Sequence, residues 1–307
     1  MPPGSVRLTV WARDYRTVPA PTPPVAGHTL VRTTTADGVR LAGRVWAGGF
    51  VKQVNESDRA GRRAAVAPTP TYVVGHGFTG STSERRVLDI CERLAARGAG
   101  VVAFDFRGHG RSRGGSTLGE VEVRDLAAAV AFARARTAGP VVVAGWSMGG
   151  SVVLRHAGLG GDADVVVSVS APGLWYERHT RAMRIVHGAA ETRRGRALCR
   201  LLTGTRLTGD GWERLPESPV EVVAAVAPRP LLVVHGDADS YFPLRHARAL
   251  AAAAPHAELW VEPGMGHAET ATTPELVDRV DDWVRSRLPG AAAPTRPDRP
   301  ARATMAG

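Results

Sequence analysis

Six short apolar runs, "TYVVG", "GVVAFD", "PVVVAG", "DVVVSVS", "PLLVVHG" and "AELWVEP", recur along the chain with helical patterns between them. Most lack the polar–apolar alternation of a strand with one wet face. They therefore suit strands buried on both sides, as in a parallel sheet covered by helices. Ahead of them, "HTLVRTTT" and "VRLAGRVWA" flank "ADG" and read as an antiparallel hairpin. The expectation is an α/β chain with a mostly parallel, eight-stranded sheet, an opening antiparallel hairpin and helices on both faces.

The helical stretches have one apolar face each. Residues 83–97 align Val87, Ile90, Cys91 and Leu94, and Ser81 and Glu84 have the spacing of a capping box. Residues 118–136 align Leu126, Ala129, Val130 and Ala133. Further helices are expected from Met148, from Pro243 and over 274–288, the last started by Thr273-Pro274. Residues 171–224 break the alternation. They hold no β-like run, only amphipathic helix and a Gly-rich turn, and read as a small helical cap inserted into a core of 27–170 and 225–288. Pro-rich residues 1–26 and Pro/Ala/Arg-rich residues 289–307 are expected to be mobile tails.

In an open α/β sheet, ligands gather at the carboxyl ends of the strands. Gly145-Trp146-Ser147-Met148-Gly149 follows "VVVA" and precedes a helix. A serine on a sharp strand-to-helix turn projects its hydroxyl into the cleft, and glycines beside it avoid clashes with the adjoining strand and helix. Ser147 is thus the candidate nucleophile, and it needs a base and an orienting acid. Of ten histidines, His267 follows the last strand in a Gly-rich loop and is the candidate base. The loop after "PLLVV" offers Asp237 and Asp239. Asp239 is taken as the acid, and Asp237 as a turn-holding Asx residue.

"VVGHGFTGS" (73–81) poses a rival. Gly75, Gly77 and Gly80 form G-x-G-x-x-G, and the next run ends at Asp105, as in a dinucleotide site. That reading leaves Ser147, Asp239 and His267 without a reason. It also expects its glycines after the first strand, whereas a hairpin precedes them here.

The motifs "HGFTGS", "DFRGHGRS", "GWSMGGS", "VVHGDADSYFP" and "GMGH" occur in that order, and residues 71–288 resemble the α/β-hydrolase superfamily. The order Ser147, Asp239, His267 matches it. Ser147 implies the esterase, lipase or peptidase-like branch, since dehalogenases and epoxide hydrolases of this fold carry aspartate at that turn. The resemblance implies an oxyanion hole from the backbone N–H groups of Phe78 and Met148. It makes His109 of "DFRGHGRS" part of a scaffolding loop, with Arg107 tied to nearby carboxylates. The expected function is hydrolysis of an ester or thioester of a small to medium acyl substrate, without metal or cofactor. The same residues would serve a peptidase, an acyltransferase or a cofactor-free perhydrolase or haloperoxidase. A non-catalytic binding protein would normally have lost one of the three.

For substrate contacts, Trp146 is expected to line the pocket. Leu174, Trp175, Tyr176, Met183, Ile185 and Val186 either line it or form the cap's own core. Eight arginines between 174 and 206 face only Glu177 and Glu191, which suggests either a solvated face or a dock for an anionic substrate or carrier protein. The net charge of +10 comes almost wholly from scattered arginines, with no basic arm, so nucleic acid is not expected. No run approaches the roughly 20 apolar residues of a membrane span, and the N-terminal residues contain no leader-like apolar stretch, so the expected location is cytoplasmic. Cys91 and Cys199, far apart, are expected to be buried thiols.

Overall fold

Valine-rich runs become strands because β-branched side chains pack well on a pleated surface covered from both sides. The computed structural model describes residues 27–47, 69–209, 212 and 214–288. Its strands are β1 (Thr29–Thr34), β2 (Arg40–Trp46), β3 (Thr71–Gly75), β4 (Gly100–Phe104), β5 (Val141–Trp146), β6 (Val165–Val169), β7 (Leu231–Gly236) and β8 (Glu258–Glu262). They form one sheet in the order β1-β2-β4-β3-β5-β6-β7-β8. β1 and β2 pair antiparallel, as does β2 with β4, and every later pairing is parallel. The expected eight-stranded, mostly parallel sheet with an antiparallel start is what forms. Both expected tails lie outside the described residues.

The helices are α1 (Arg85–Ala96), α2 (Glu122–Arg134), α3 (Met148–Gly158), α4 (Arg181–Glu191), α5 (Arg193–Thr203), α6 (Pro219–Val222), α7 (Arg245–Ala253), α8 (Ala268–Ala271) and α9 (Pro274–Ser286). Strand alternation divides the core in two. Val73, Val143 and Val233 face α2, α3 and α7, burying Leu126, Val152 and Leu250. Val74, Val142 and Val234 face α1 and α9, burying Ile90, Leu94, Val280 and Trp283. Each fully buried aliphatic side chain contributes about 1.5–3 kcal/mol of transfer free energy, so the apolar faces of the helices anchor them. Among the described residues, no helix is long and apolar enough to cross a membrane.

One expected detail is corrected. Ser81 and Glu84 do not form a capping box: Glu84 is itself the residue that caps α1 and makes no side-chain cap bond. Ser81 Oγ is instead 2.9 Å from Ser83 Oγ, and the Glu84 N–H donates to the Ser81 carbonyl. The chain makes an extra turn before the helix begins. Thr273, by contrast, caps α9 by accepting from the Leu276 N–H, with Pro274 following.

Between β6 and β7 the chain leaves the sheet. No residue of α4 is fully buried, and in α5 only Cys199 is. The segment is pinned to the loop after β4 through the Arg206 N–H to the Gly108 carbonyl and the Ser116 N–H to the Arg206 carbonyl. α6 and a 3-10 turn (Val223–Val226) then pack on α3, with Val223 and Val226 wholly buried.

Glu177 fastens this segment to α7. Its buried carboxylate accepts from His246 Nε2 at 2.9 Å and from the His179 N–H at 2.7 Å, and pairs with Arg245. Burial opposes ionisation there, but the bonds from His246 and His179 and the Arg245 charge outweigh it and hold the carboxyl at about 2. A depressed carboxyl stabilises the fold above its ordinary pKa, and that stability is lost as pH falls through the folded value. Glu177→Gln is therefore expected to cost about 2 kcal/mol at pH 7, roughly 5 °C in Tm. The gap to the wild type should close as melts are repeated from pH 4.5 down to 2. A constant gap would mean that packing, not charge, fastens the segment.

Candidate active site

Ser147 sits between β5 and α3 with φ 51° and ψ −118°, a left-handed conformation that a serine adopts only when its surroundings force it. The surroundings are backbone. A Cβ on Gly145 would lie 2.1 Å from the Gly149 carbonyl oxygen, and one on Gly149 would lie 2.2 Å from that of Gly75. Real Cβ atoms do not approach so closely, so both glycines are needed for this turn. The Ser147 N–H donates to the Val169 carbonyl at 2.9 Å, tying the turn to β6.

Strand ends β5, β7 and β8 bring the three candidate residues together. Ser147 Oγ is 2.9 Å from His267 Nε2, across 120 positions of sequence. His267 Nδ1 is 2.8 Å from Asp239 Oδ2. With Asp239 ionised, Nδ1 carries the proton and donates to it, which leaves Nε2 as the acceptor for the Ser147 hydroxyl. Asp239 is wholly buried in its side chain. Burial raises its pKa, but the hydrogen bond and charge of His267 and the N–H groups of Phe242 and Tyr241 more than compensate, so the carboxyl is held below its usual value.

The two aspartates divide the work differently from expectation. Asp239 makes the Asx-type turn itself, its Oδ1 accepting from the Tyr241 and Phe242 N–H groups at 2.8 and 3.0 Å. Asp237 Oδ1 instead accepts from the Gly264 N–H at 2.7 Å, so it joins the loop after β7 to the loop after β8. A second stitch is the Ala238 N–H to the Met265 carbonyl.

The loop "HGFTGS" lies against Ser147: a Cβ on Gly77 would stand 3.3 Å from Ser147 Cβ. The Gly77 carbonyl accepts from His76 Nδ1 at 2.8 Å and from the Gly80 N–H at 3.0 Å. A trans peptide holds its C=O and N–H antiparallel, so fixing that carbonyl also fixes the direction of the Phe78 N–H. The Phe78 N–H donates to no described residue. Met148 is the first residue of α3, so its N–H has no acceptor within the helix. Asp105, the acid that a dinucleotide would need, is 2% exposed and engaged at both oxygens, by the Thr82 N–H at 2.6 Å and the Arg111 N–H at 2.8 Å. Buried and engaged in this way, it is not presented to a ribose.

His109 is fully buried and its Nδ1 donates to the Arg107 carbonyl. Burial first, then the neighbouring His76, pushes its pKa down to about 3, so it stays neutral. Arg107 pairs with Asp125 at 2.7 Å and with Asp37 at 2.9 Å. Cys91 and Cys199 are both buried and unpaired, and burial pushes the Cys91 thiol up.

Trp146 is the corrected residue. It is 3% exposed, packs among the side chains under α1 and α9, and donates Nε1–H to Thr272 Oγ1 at 2.9 Å. Alternation along β5 puts it on the same side as Val142 and Ala144, in the core and not in a cleft. Trp175 is half-buried; its Nε1–H donates to the Pro216 carbonyl and its ring lies 5.4 Å from that of Trp212. Tyr176 is exposed and stacks on His187 at 6.0 Å. Met183 and Val186 are half-buried on α4. Arg178 pairs with Glu191, while Glu177 serves α7 and not the arginines of its own segment.

Three neighbours of this cluster escaped the sequence reading. The Tyr241 ring stacks on the His267 ring at 4.2 Å, and Phe242 lies 5.5 Å from it. Ser170 Oγ accepts from the Ala268 N–H, steadying the residue after the histidine. The signal for the aromatic pair was present two and three positions past Asp239, since an Asx turn folds those residues back over the loop.

The family described as "Serine aminopeptidase, S33" matches residues 67–218, and the one described as "TAP-like protein" matches residues 202–288. The chain is 30% identical over 266 residues to a monoacylglycerol lipase of Mycolicibacterium smegmatis, covering 72% of this chain and 90% of that protein. The esterase Pf2001 of Pyrococcus furiosus superposes with a TM-score of 0.63 at 24% identity, over 89% of this chain and 96% of that one. XC6422 of Xanthomonas campestris, described as an a/b serine hydrolase without lid, gives 0.56 at 19% identity, over 88% and 100%. The last two likenesses concern the fold.

Proposed function

The chain belongs to the α/β-hydrolase superfamily, and from that premise we propose that it cleaves a carboxylic ester through an acyl-enzyme on Ser147. The observation that carries this reading is the unbroken chain of hydrogen bonds from Ser147 Oγ through His267 to Asp239. As the Ser147 oxygen attacks the carbonyl carbon, His267 Nε2 takes the hydroxyl proton. Asp239, already ionised, stabilises the imidazolium and keeps Nδ1 protonated. The carbonyl oxygen becomes an anion between the Phe78 and Met148 N–H groups, each worth about 3 kcal/mol in the transition state. Collapse expels the alcohol, which receives the proton from His267. Water then attacks the acyl-enzyme by the same route in reverse and releases the acid.

The likeness to a monoacylglycerol lipase favours an ester over an amide, and the segment around α4 and α5 is read as the cap over the acyl group. Its arginines 181, 193, 194 and 200 make no ion pair with a described residue, which favours acyl substrates that carry negative charge.

The test is a fluorophosphonate probe followed by a panel of aryl esters of rising chain length, with one thioester and one amide. The expected result is a single adduct on Ser147, lost in His267→Ala, with esters turned over faster than the amide. Labelling elsewhere, or labelling indifferent to His267→Ala, overturns the reading.

A further inference from the structure

The mechanism above leaves one carboxylate beside the nucleophile unused. Glu269 lies two residues past His267, in the short helix α8. Its Oε1 accepts from the Gly77 N–H at 2.6 Å, across 192 positions of sequence. A Cβ on Gly77 would stand 3.2 and 3.3 Å from the two carboxylate oxygens and 3.3 Å from Ser147 Cβ, so Glu269, Gly77 and Ser147 meet at one point. At that distance the side-chain oxygen is well within hydrogen-bond range of the N–H.

Gly77 has no side chain to restrain it. Its carbonyl is held by His76 and Gly80, which orients the following peptide and with it the Phe78 N–H. Its own N–H is held by Glu269 and by no other described group. The two peptide planes that meet at Gly77 are thus fixed from opposite sides. The Glu269 clamp comes from the loop that carries the base: the Ala268 N–H is anchored on Ser170 Oγ at 3.1 Å, and Thr270 Oγ1 donates to the His267 carbonyl at 2.6 Å.

We infer that Glu269 is a positioning residue that ties the oxyanion-binding loop to the loop bearing His267, holding the Phe78 N–H in register with the base. The inference rests on the reading of Ser147 as nucleophile and of the Phe78 N–H as an oxyanion donor. What Gly77 requires from residue 269 is an acceptor oxygen, not a negative charge. An amide oxygen would do the same work, because glutamine keeps an acceptor where Oε1 stands.

Full-length wild type, Glu269→Gln and Glu269→Ala are compared on a neutral aryl ester and on one bearing an ammonium group, with Ser147→Ala as blank. Losing one oxyanion donor costs about 10²–10³ in kcat, so misplacing one is expected to cost roughly 10- to 100-fold. Glu269→Ala should lose that much kcat on both esters with little change in KM, and its fluorophosphonate labelling rate should fall in parallel. Glu269→Gln should stay within about threefold of wild type. Should Glu269→Ala melt below the assay temperature, Glu269→Leu, which fills the space without an acceptor, is expected to show the same loss of kcat.

An equal loss in the glutamine and alanine variants overturns the inference, because charge would then matter and not the acceptor. So does a rise in KM confined to the ammonium ester, which would make Glu269 a subsite for a substrate cation. Wild-type activity in Glu269→Ala overturns this inference alone. A wild type without Ser147-dependent turnover overturns both the inference and the chemistry beneath it.

Discussion

Ser147→Ala is expected to lower kcat on an aryl ester by about 10⁵- to 10⁶-fold, with no loss of Tm. Only the hydroxyl is removed. The methyl side chain keeps the φ 51° turn, whose shape is set by Gly145 and Gly149 and not by the serine. The loss is large because the three groups act as one. Without Oγ, the proton acceptor at Nε2 and the two N–H donors have no covalent step to assist. His267→Ala should cost nearly as much, and the double variant no more than either single one. Steady-state kinetics and single-turnover burst measurements check this. Additive losses would mean that the hydrogen-bonded chain does not operate as a unit.

Asp239→Asn is expected to lower kcat by about 10⁴-fold while leaving KM within a few-fold of wild type. Asparagine can still accept from the Tyr241 and Phe242 N–H groups, so the turn survives. Its amide N–H would then face His267 Nδ1 and demand an acceptor there. The ring proton moves to Nε2, where it points at Ser147 Oγ and cannot take the hydroxyl proton. Asp237→Asn is the control. Its carboxylate accepts from the Gly264 N–H, which an asparagine oxygen also accepts, so kcat should change by less than about tenfold. A larger loss in Asp237→Asn than in Asp239→Asn would reverse the assignment of the acid. Nitrogen-15 spectra of the histidine ring would report the tautomer directly.

Much of the site was legible because each part announces itself locally. A serine between glycines, after an apolar run and before a helical pattern, can hardly be anything but a strand-to-helix turn. His267 stood out among ten histidines by lying past a strand end, and the loop past β7 narrowed the acid to Asp237 or Asp239. What stayed hidden depends on contacts between distant loops. Asp237 and Asp239 have the same chemistry two positions apart, and only the loop after β8 distinguishes them, by offering a backbone N–H to one and an imidazole to the other. Trp146 adjoins the nucleophile in the sequence, yet the pleat of β5 turns it to the opposite side and into the core. The capping box failed because the chain makes one more turn after Ser81, so that Glu84 and not Ser81 stands at the start of α1.

The amino-acid sequence by itself determined the class of the fold. Periods of hydrophobicity are local, and alternating buried strands with one-faced helices leaves a covered parallel sheet as the arrangement that buries both. It also determined which residues carry the chemical groups. Tertiary structure decided which of those groups touch. The sheet order places β3, β5, β6, β7 and β8 side by side, so residues 120 and 192 positions apart arrive within hydrogen-bond distance. A serine hydroxyl, an imidazole and a carboxylate gain reactivity only at that distance and in that tautomer. No spacing along a chain encodes it, because the distance is set by the packing of the whole sheet.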